Sequence, residues 1–148
     1  MPQSLANIVI HLVFSTKNRE RRLTPEIRKE LFPYFAGTLK NHGCAALQSG
    51  GVDDHVHVLF CLSRTITVSQ VAEKVKTSST KWIKEKFDVE FGWQTGYGAF
   101  SVGQNEIELV LNYVRGQENH HRKVSFQEEF RTLLNEAGIV FDERYMWD

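Results

Sequence analysis

Tyr113 and Gln117 stand four residues apart in a segment where Ile107, Val110, Leu111 and Val114 recur at helical spacing. Side chains one turn apart lie on the same side of a helix, so the phenol and the amide can act on one target. At about 100° per residue they fall off the centre of the apolar stripe, which leaves the hydroxyl reachable. A second pair, His55 and His57, belongs to the alternating run His55 to Leu62. Alternation puts Val56, Val58, Phe60 and Leu62 on one face of a strand and both imidazoles on the other, where they can share a metal ion. Taken singly, each pair also has an ordinary structural explanation. The histidines can be polar residues on a wetted sheet face, and the tyrosine a boundary residue with its ring packed and its hydroxyl wet. The weight comes from the combination.

A neutral phenol, with a pKa of about 10, is a poor nucleophile unless its electrophile is activated or its own pKa falls. A divalent ion held by His55, His57 and the side-chain oxygen of Gln117 supplies both. It would polarise a scissile phosphate and offset the charge that develops on it. The mixed nitrogen and oxygen donors suit Mn²⁺ somewhat better than Mg²⁺, and both stay open; Zn²⁺ is disfavoured without a thiolate or a third histidine. His11, His120 and His121 can lie near this site, but a strand histidine and two solvated helix-end histidines explain them adequately.

The elements that must position these groups can be read in order. Asn7 to Phe14 alternates as a buried strand. Thr24-Pro25 opens a helix carrying Ile27, Leu31, Phe35 and Leu39, which His42-Gly43 stops. Cys44 to Gln48 and His55 to Leu62 read as two antiparallel strands joined by the glycine- and aspartate-rich segment Ser49 to Asp54. A second long helix is predicted from Thr67 to Phe87, and a short strand from Ala99 to Val102. Strand, helix, strand, strand, helix, strand is the split βαβ order, so the fold class is α+β, ferredoxin-like, with both helices on one sheet face and the other face available. Two further helices follow, one from about Asn105 to Asn119 and one opened by Ser125 with Glu128 in a capping-box pattern. The first carries the tyrosine.

At 148 residues the chain fits one domain, residues 1–148. No apolar run approaches the roughly 18 residues needed to cross a bilayer, which excludes membrane insertion, and the N-terminus does not resemble a secretory signal, so a cytoplasmic location is expected. With only Cys44 and Cys61, neither a disulfide framework nor a four-cysteine zinc site can be built. The formal net charge of zero gives no global sign of a polyanionic partner. Local clusters carry that argument: Lys17, Arg19, Arg21 and Arg22 form a basic loop, and Lys74, Lys76, Lys81, Lys84 and Lys86 load the second helix.

With His55-Val56-His57, the segment Trp93 to Val102 and Tyr113-Val114-Arg115-Gly116-Gln117 in view, the chain closely resembles the single-tyrosine transposases of the IS200/IS605 group, within the HUH nuclease class. Gln117-Glu118-Asn119-His120-His121 and Phe126-Gln127-Glu128-Glu129-Phe130 resemble the family's C-terminal portion. The resemblance implies that Tyr113 attacks a DNA phosphate and holds the cut strand as a 5′-phosphotyrosine, with His55, His57 and Gln117 as metal ligands. It implies single-stranded, hairpin-forming DNA ends as substrates. It further implies a homodimer with composite active sites, in which the tyrosine helix of one subunit completes the histidine site of the other. Lys17, Arg19, Arg21 and Arg22 are candidate phosphate contacts. Three other readings remain: a domesticated palindrome-processing relative, a non-catalytic nucleic-acid-binding module on the same core, and a metal-dependent hydrolase that uses water.

Overall fold

The computed structural model describes residues 3–147. Four strands form one sheet: β1 (Val9–Ser15), β2 (Ala45–Gly51), β3 (His55–Cys61) and β4 (Gly98–Val102). They lie in the order β2-β3-β1-β4 with every neighbouring pair antiparallel, which is the ferredoxin-like arrangement. β1 is central and buried at all seven positions. Ile10, Leu12 and Phe14 point to one side and meet Val56, Val58 and Phe60. That side is covered by α1 (Pro25–Asn41) and α2 (Val68–Phe87) through Leu31, Phe35, Leu39, Val71, Val75 and Ile83. Thr24 caps α1 by accepting from the Ile27 N–H, and Thr67 caps α2 in a reciprocal box with Gln70.

The strand-to-strand connection differs from the sequence expectation. β2 does not stop at Gln48, because Ser49, Gly50 and Gly51 still pair with Val58, His57 and Val56, and the turn shrinks to Val52–Asp54. The tyrosine segment also differs. Instead of one helix to Asn119, α3 (Ile107–Arg115) ends at Gly116 and a single turn, α4 (Gln117–His120), follows. Glycine is a weak helix former, and it stands where the chain turns back toward the sheet. Ser125 caps α5 (Phe126–Glu136) by accepting from the Glu128 N–H; that half of the expected capping box is present.

The largest departure concerns the second sheet face, which is covered rather than available. Val9 and Leu59 pack against Val114 of α3, and Val13 packs against Phe126, Phe130 and Leu134 of α5. Two glycines set how closely these helices approach. A Cβ on Gly50 would lie 1.9 Å from the Val114 carbonyl oxygen, and one on Gly98 would lie 2.5 Å from the Phe130 ring. Gly50→Ala is therefore expected to push α3 off the sheet and lower stability by about 2 kcal/mol, since rigid backbone cannot yield as a flexible side chain could. Urea unfolding measures this, and an unchanged midpoint would contradict the close docking.

Candidate metal and tyrosine centre

The alternation of β3 sends His55 and His57 to the face covered by α3 and α5, where both are fully buried. Neighbouring strands complete their surroundings. β1 places His11 so that its Nε2 is 2.7 Å from Nδ1 of His57, with the rings stacked. The turn before β3 brings Asp54 to His55, whose Nδ1 donates to the carboxylate at 2.7 Å.

The covering elements supply the rest. α5 seats its Phe126 ring on His55, with centroids 4.4 Å apart, and buries Phe126, Phe130 and Leu134 along one stripe. Glu129 lies on the same stripe and is carried down with them to 3% exposure. Its Oε1 is 2.8 Å from His57 Nε2, 3.3 Å from His55 Nε2 and 3.2 Å from His121 Nε2. His121, at the C-terminal end of α4, donates from Nδ1 to the Val124 carbonyl at 2.6 Å and brings Nε2 to 3.0 Å from that of His55. His55, His57, His121 and Glu129 thus offer four ligand atoms within 4.8 Å of one another. The donor set fits a divalent cation, because three imidazole nitrogens and one carboxylate oxygen converge on one buried point.

Tyr113 is half-buried on α3 and donates its hydroxyl to Oε2 of Glu129. Its ring stands edge-on to His57 at 5.7 Å between centroids. Gln117 is buried, with Oε1 3.4 Å from His55 Nε2 and Nε2 donating to the Tyr113 carbonyl at 3.4 Å. All four residues singled out in the sequence, Tyr113, Gln117, His55 and His57, are therefore brought together, and within one chain. A cavity of about 530 Å³ lined by His11, Tyr113, His120 and Glu129 leads to the tyrosine.

Of the two readings open for His11, His120 and His121, the structure bears out a place near the site and corrects the solvated helix-end reading. His11 is buried inside the centre, the His121 side chain is 7% exposed beside His55, and His120, its side chain 31% exposed, lies 3.2 Å from Glu129 Oε2. Glu129 was not singled out at all. Both omissions had signals in the sequence. Tyr113, Gln117 and His121 follow one another at four-residue steps, and Glu129 interrupts the apolar stripe of Phe126, Phe130 and Leu134, where an acid is out of place without a partner. The third histidine also removes the ground on which Zn²⁺ was disfavoured.

Of the basic loop, Arg19 and Arg21 line a cavity beside His121 and Asp54, whereas Lys17 and Arg22 face a separate groove with Lys84. Arg22 is paired with Glu20 at 2.8 Å, and the Arg19 guanidinium lies over the Trp147 ring. The loop is split between two surfaces.

Burial strongly disfavours charge on His57, which falls to about 4 despite the Glu129 carboxylate, and on His11, which falls to about 3 through burial and the neighbouring His57. Burial also works against charge on His55, but hydrogen bonds to Asp54 and Glu129 outweigh it and bring that ring up to about 8. For Glu129, burial opposes ionisation, yet the contacts from His121, His55 and His57 hold it far below the usual carboxylate range. Burial and then the charge of Glu129 push the Tyr113 phenol up.

These shifts set the pH dependence of the metal-free protein. The raised His55 contributes stability that is complete below 6.5 and lost as pH rises through about 8. The lowered His57 and His11 act the other way: the unfolded chain takes up protons first, so stability falls as pH drops from 6.5 toward about 4 and about 3. Glu129 steepens that acid limb. Chelator-treated protein is expected to be most resistant to urea near pH 6.5, and a midpoint that stays flat up to pH 9 would contradict the His55 environment.

The family model described as "Transposase IS200 like" matches residues 4–117. No curated protein matches the chain. Among solved structures, a candidate transposase of Deinococcus radiodurans R1 is similar with a TM-score of 0.64 and 17% identity, over 77% of this chain and 95% of that one. A REP-associated tyrosine transposase bound to a REP hairpin is similar with a TM-score of 0.55 and 11% identity, over 77% of this chain and 70% of that one. These two likenesses support the fold; the family match spans most of the chain and includes His55, His57, Tyr113 and Gln117. The chain belongs to the IS200-like transposase family.

Proposed function

We propose that this protein cuts and rejoins single-stranded DNA with Tyr113 as nucleophile beside a divalent-metal site built on His55 and His57. The observation that carries this reading is the meeting of the Tyr113 hydroxyl with the buried histidine cluster through one carboxylate, Glu129. A bound divalent ion, Mg²⁺ or Mn²⁺ by the resemblance, supplies charge stabilisation at the scissile phosphate.

The chain's own residues do the rest. Tyr113 Oη attacks phosphorus, the bond from phosphorus to the 3′ oxygen breaks, and the 5′ side stays on the protein as a phosphotyrosine. The hydroxyl proton goes to Glu129, toward which it already points, and the departing 3′ oxygen leaves as a hydroxyl after taking a proton from the site. Attack of a 3′-OH on the phosphotyrosine reverses these steps and rejoins the strand without an external energy source.

Hairpin-forming DNA ends are the proposed substrates, in line with the hairpin carried by the REP-associated structural neighbour. That neighbour equally favours a domesticated, palindrome-processing version of the same chemistry. Arg19 and Arg21, on the His121 side, are the better-placed phosphate contacts of the basic loop. A homodimer is proposed as the working form. The proximity of Tyr113 to its own chain's histidines favours sites complete within one subunit over sites exchanged between two.

The test is incubation with single-stranded hairpin oligonucleotides and Mg²⁺ or Mn²⁺, resolved on a denaturing gel. A slow-migrating protein–DNA adduct that chelator abolishes is expected. Binding without cleavage under every metal would overturn the proposal in favour of a binding module.

A further inference from the structure

The cavity that leads to Tyr113 has two properties that the chemistry at the tyrosine does not use. First, much of it is apolar. α3 contributes Leu109 and Val110, and α5 with its approach contributes Leu133 and Val124. Leu109 is 71% exposed, a large apolar side chain left open to water beside a nucleophile. Second, the charges at its edge have one sign. Glu106, just before α3, and Glu136, the last residue of α5, are both exposed and line it, and among the described residues no lysine or arginine does.

Such a hollow repels phosphate. The basic groups stand on the other side of a ridge: Arg19 and Arg21 line the neighbouring cavity with His121, and Val124 borders both cavities. A single strand whose phosphate reaches Tyr113 is therefore held by its backbone on the arginine side. The acidic side is left for the uncharged part of a nucleotide, which is the base. Enzymes that read an unstacked base enclose its faces with apolar side chains and hydrogen-bond its Watson–Crick edge. Here the leucines offer the first and the carboxylates the second. A carboxylate only accepts, and its two oxygens match two parallel donors. Guanine alone has that pair, N1–H beside the N2 amino group. Cytosine and adenine present an amino group next to a ring-nitrogen acceptor, and thymine an imide N–H between two carbonyls.

We propose that the cavity between α3 and α5 is a guanine pocket that takes one unstacked base beside the scissile phosphate, with Leu109 and Leu133 against its faces and the carboxylate of Glu106 or Glu136 accepting from N1–H and N2–H. The inference rests on the proposed single-stranded substrate and adds to it a choice of base next to the cut.

The experiment is fluorescence anisotropy of the full chain in chelator, which stops metal-dependent cutting. The probes are a labelled oligothymidine strand and the same strand with one central guanine, inosine, cytosine or adenine. The guanine strand is expected to bind at least about fivefold more tightly than oligothymidine, the lower end for a bidentate contact to a base. Inosine, which lacks the N2 amino group, should lose most of that gain. In the double variant Glu106→Ala with Glu136→Ala, the guanine preference is expected to fall below about twofold while oligothymidine binds as well or better, because two negative charges are gone. Charge alone would shift every strand alike, so the ratio between strands isolates the base contact. Both positions are exposed, and thermal melts confirm folding. Equal affinity for all strands, a preference for any other base, inosine binding as tightly as guanine, or a guanine preference that survives the double change would overturn the pocket. The adduct gel separates this from the proposed function: guanine preference without adduct on any strand would leave the pocket and overturn the tyrosine reading, and no binding to any strand would overturn both.

Discussion

Tyr113→Phe is expected to eliminate the covalent protein–DNA adduct and to lower strand cleavage by at least about a thousandfold, because the change removes the attacking atom of the proposed mechanism. The fold should survive. The ring keeps its edge-on contacts with His11 and His57, and only the hydrogen bond to Glu129 is lost, a cost of about 1.5–3 kcal/mol for a bond to a charged partner. Glu129 retains its histidine contacts, so no buried charge is left alone. Single-turnover assays on a labelled strand, run beside thermal melts, separate the two effects. Cleavage that persists in a folded variant would identify water as the nucleophile and revive the hydrolase reading.

His57→Ala should have the second largest effect and act on both stability and chemistry. His57 is fully buried, stacks on His11 and is the nearest histidine partner of Glu129. Its removal opens a cavity at the centre of the sheet and withdraws the closest histidine from a buried carboxylate, together about 3–5 kcal/mol. Adduct formation should fall by at least about a hundredfold even at temperatures where the variant remains folded, since the proposed metal site loses one of its nitrogens. Urea unfolding and the adduct gel test the two parts. A variant that melts like wild type and still forms adduct would remove His57 from the account.

Much of this arrangement was readable in the residues. Period-two alternation in β1 and β3 and four-residue steps in α1 gave the split βαβ core, and the same alternation sent His55 and His57 to one face. The spacing of Tyr113 and Gln117 gave their shared side. What the spacing did not give was the cover on the second sheet face. That depends on how closely α3 and α5 can approach the strands, which Gly50 and Gly98 decide and no periodicity reports. Without that approach, His121 reads as a helix-end residue and Glu129 as one more acid in the first turn of a helix. They lie 66 and 72 residues from the β3 histidines they meet. Local patterns describe one element at a time, and a site assembled from a strand, a single turn and a terminal helix falls between them. The basic loop shows the converse. Its four charges are close in sequence, but the backbone of Asn18 and Arg19, at φ of 56° and 55°, turns the run so that Arg19 and Arg21 face one cavity and Lys17 and Arg22 another. Among the described residues no helix is long and apolar enough to cross a membrane, as the hydropathy pattern implied.

Mass spectrometry of the covalent product tests the central claim most directly. The protein is incubated with a hairpin-bearing single strand and Mn²⁺, the DNA is trimmed with nuclease, and the digested protein is searched for a nucleotide-modified peptide. The expected result is one peptide spanning Tyr113, heavier by a nucleotide joined through its 5′ phosphate to the phenol oxygen, and absent when chelator is present. A modified peptide that maps to any residue other than Tyr113, or cleaved DNA with no modified peptide, would contradict it.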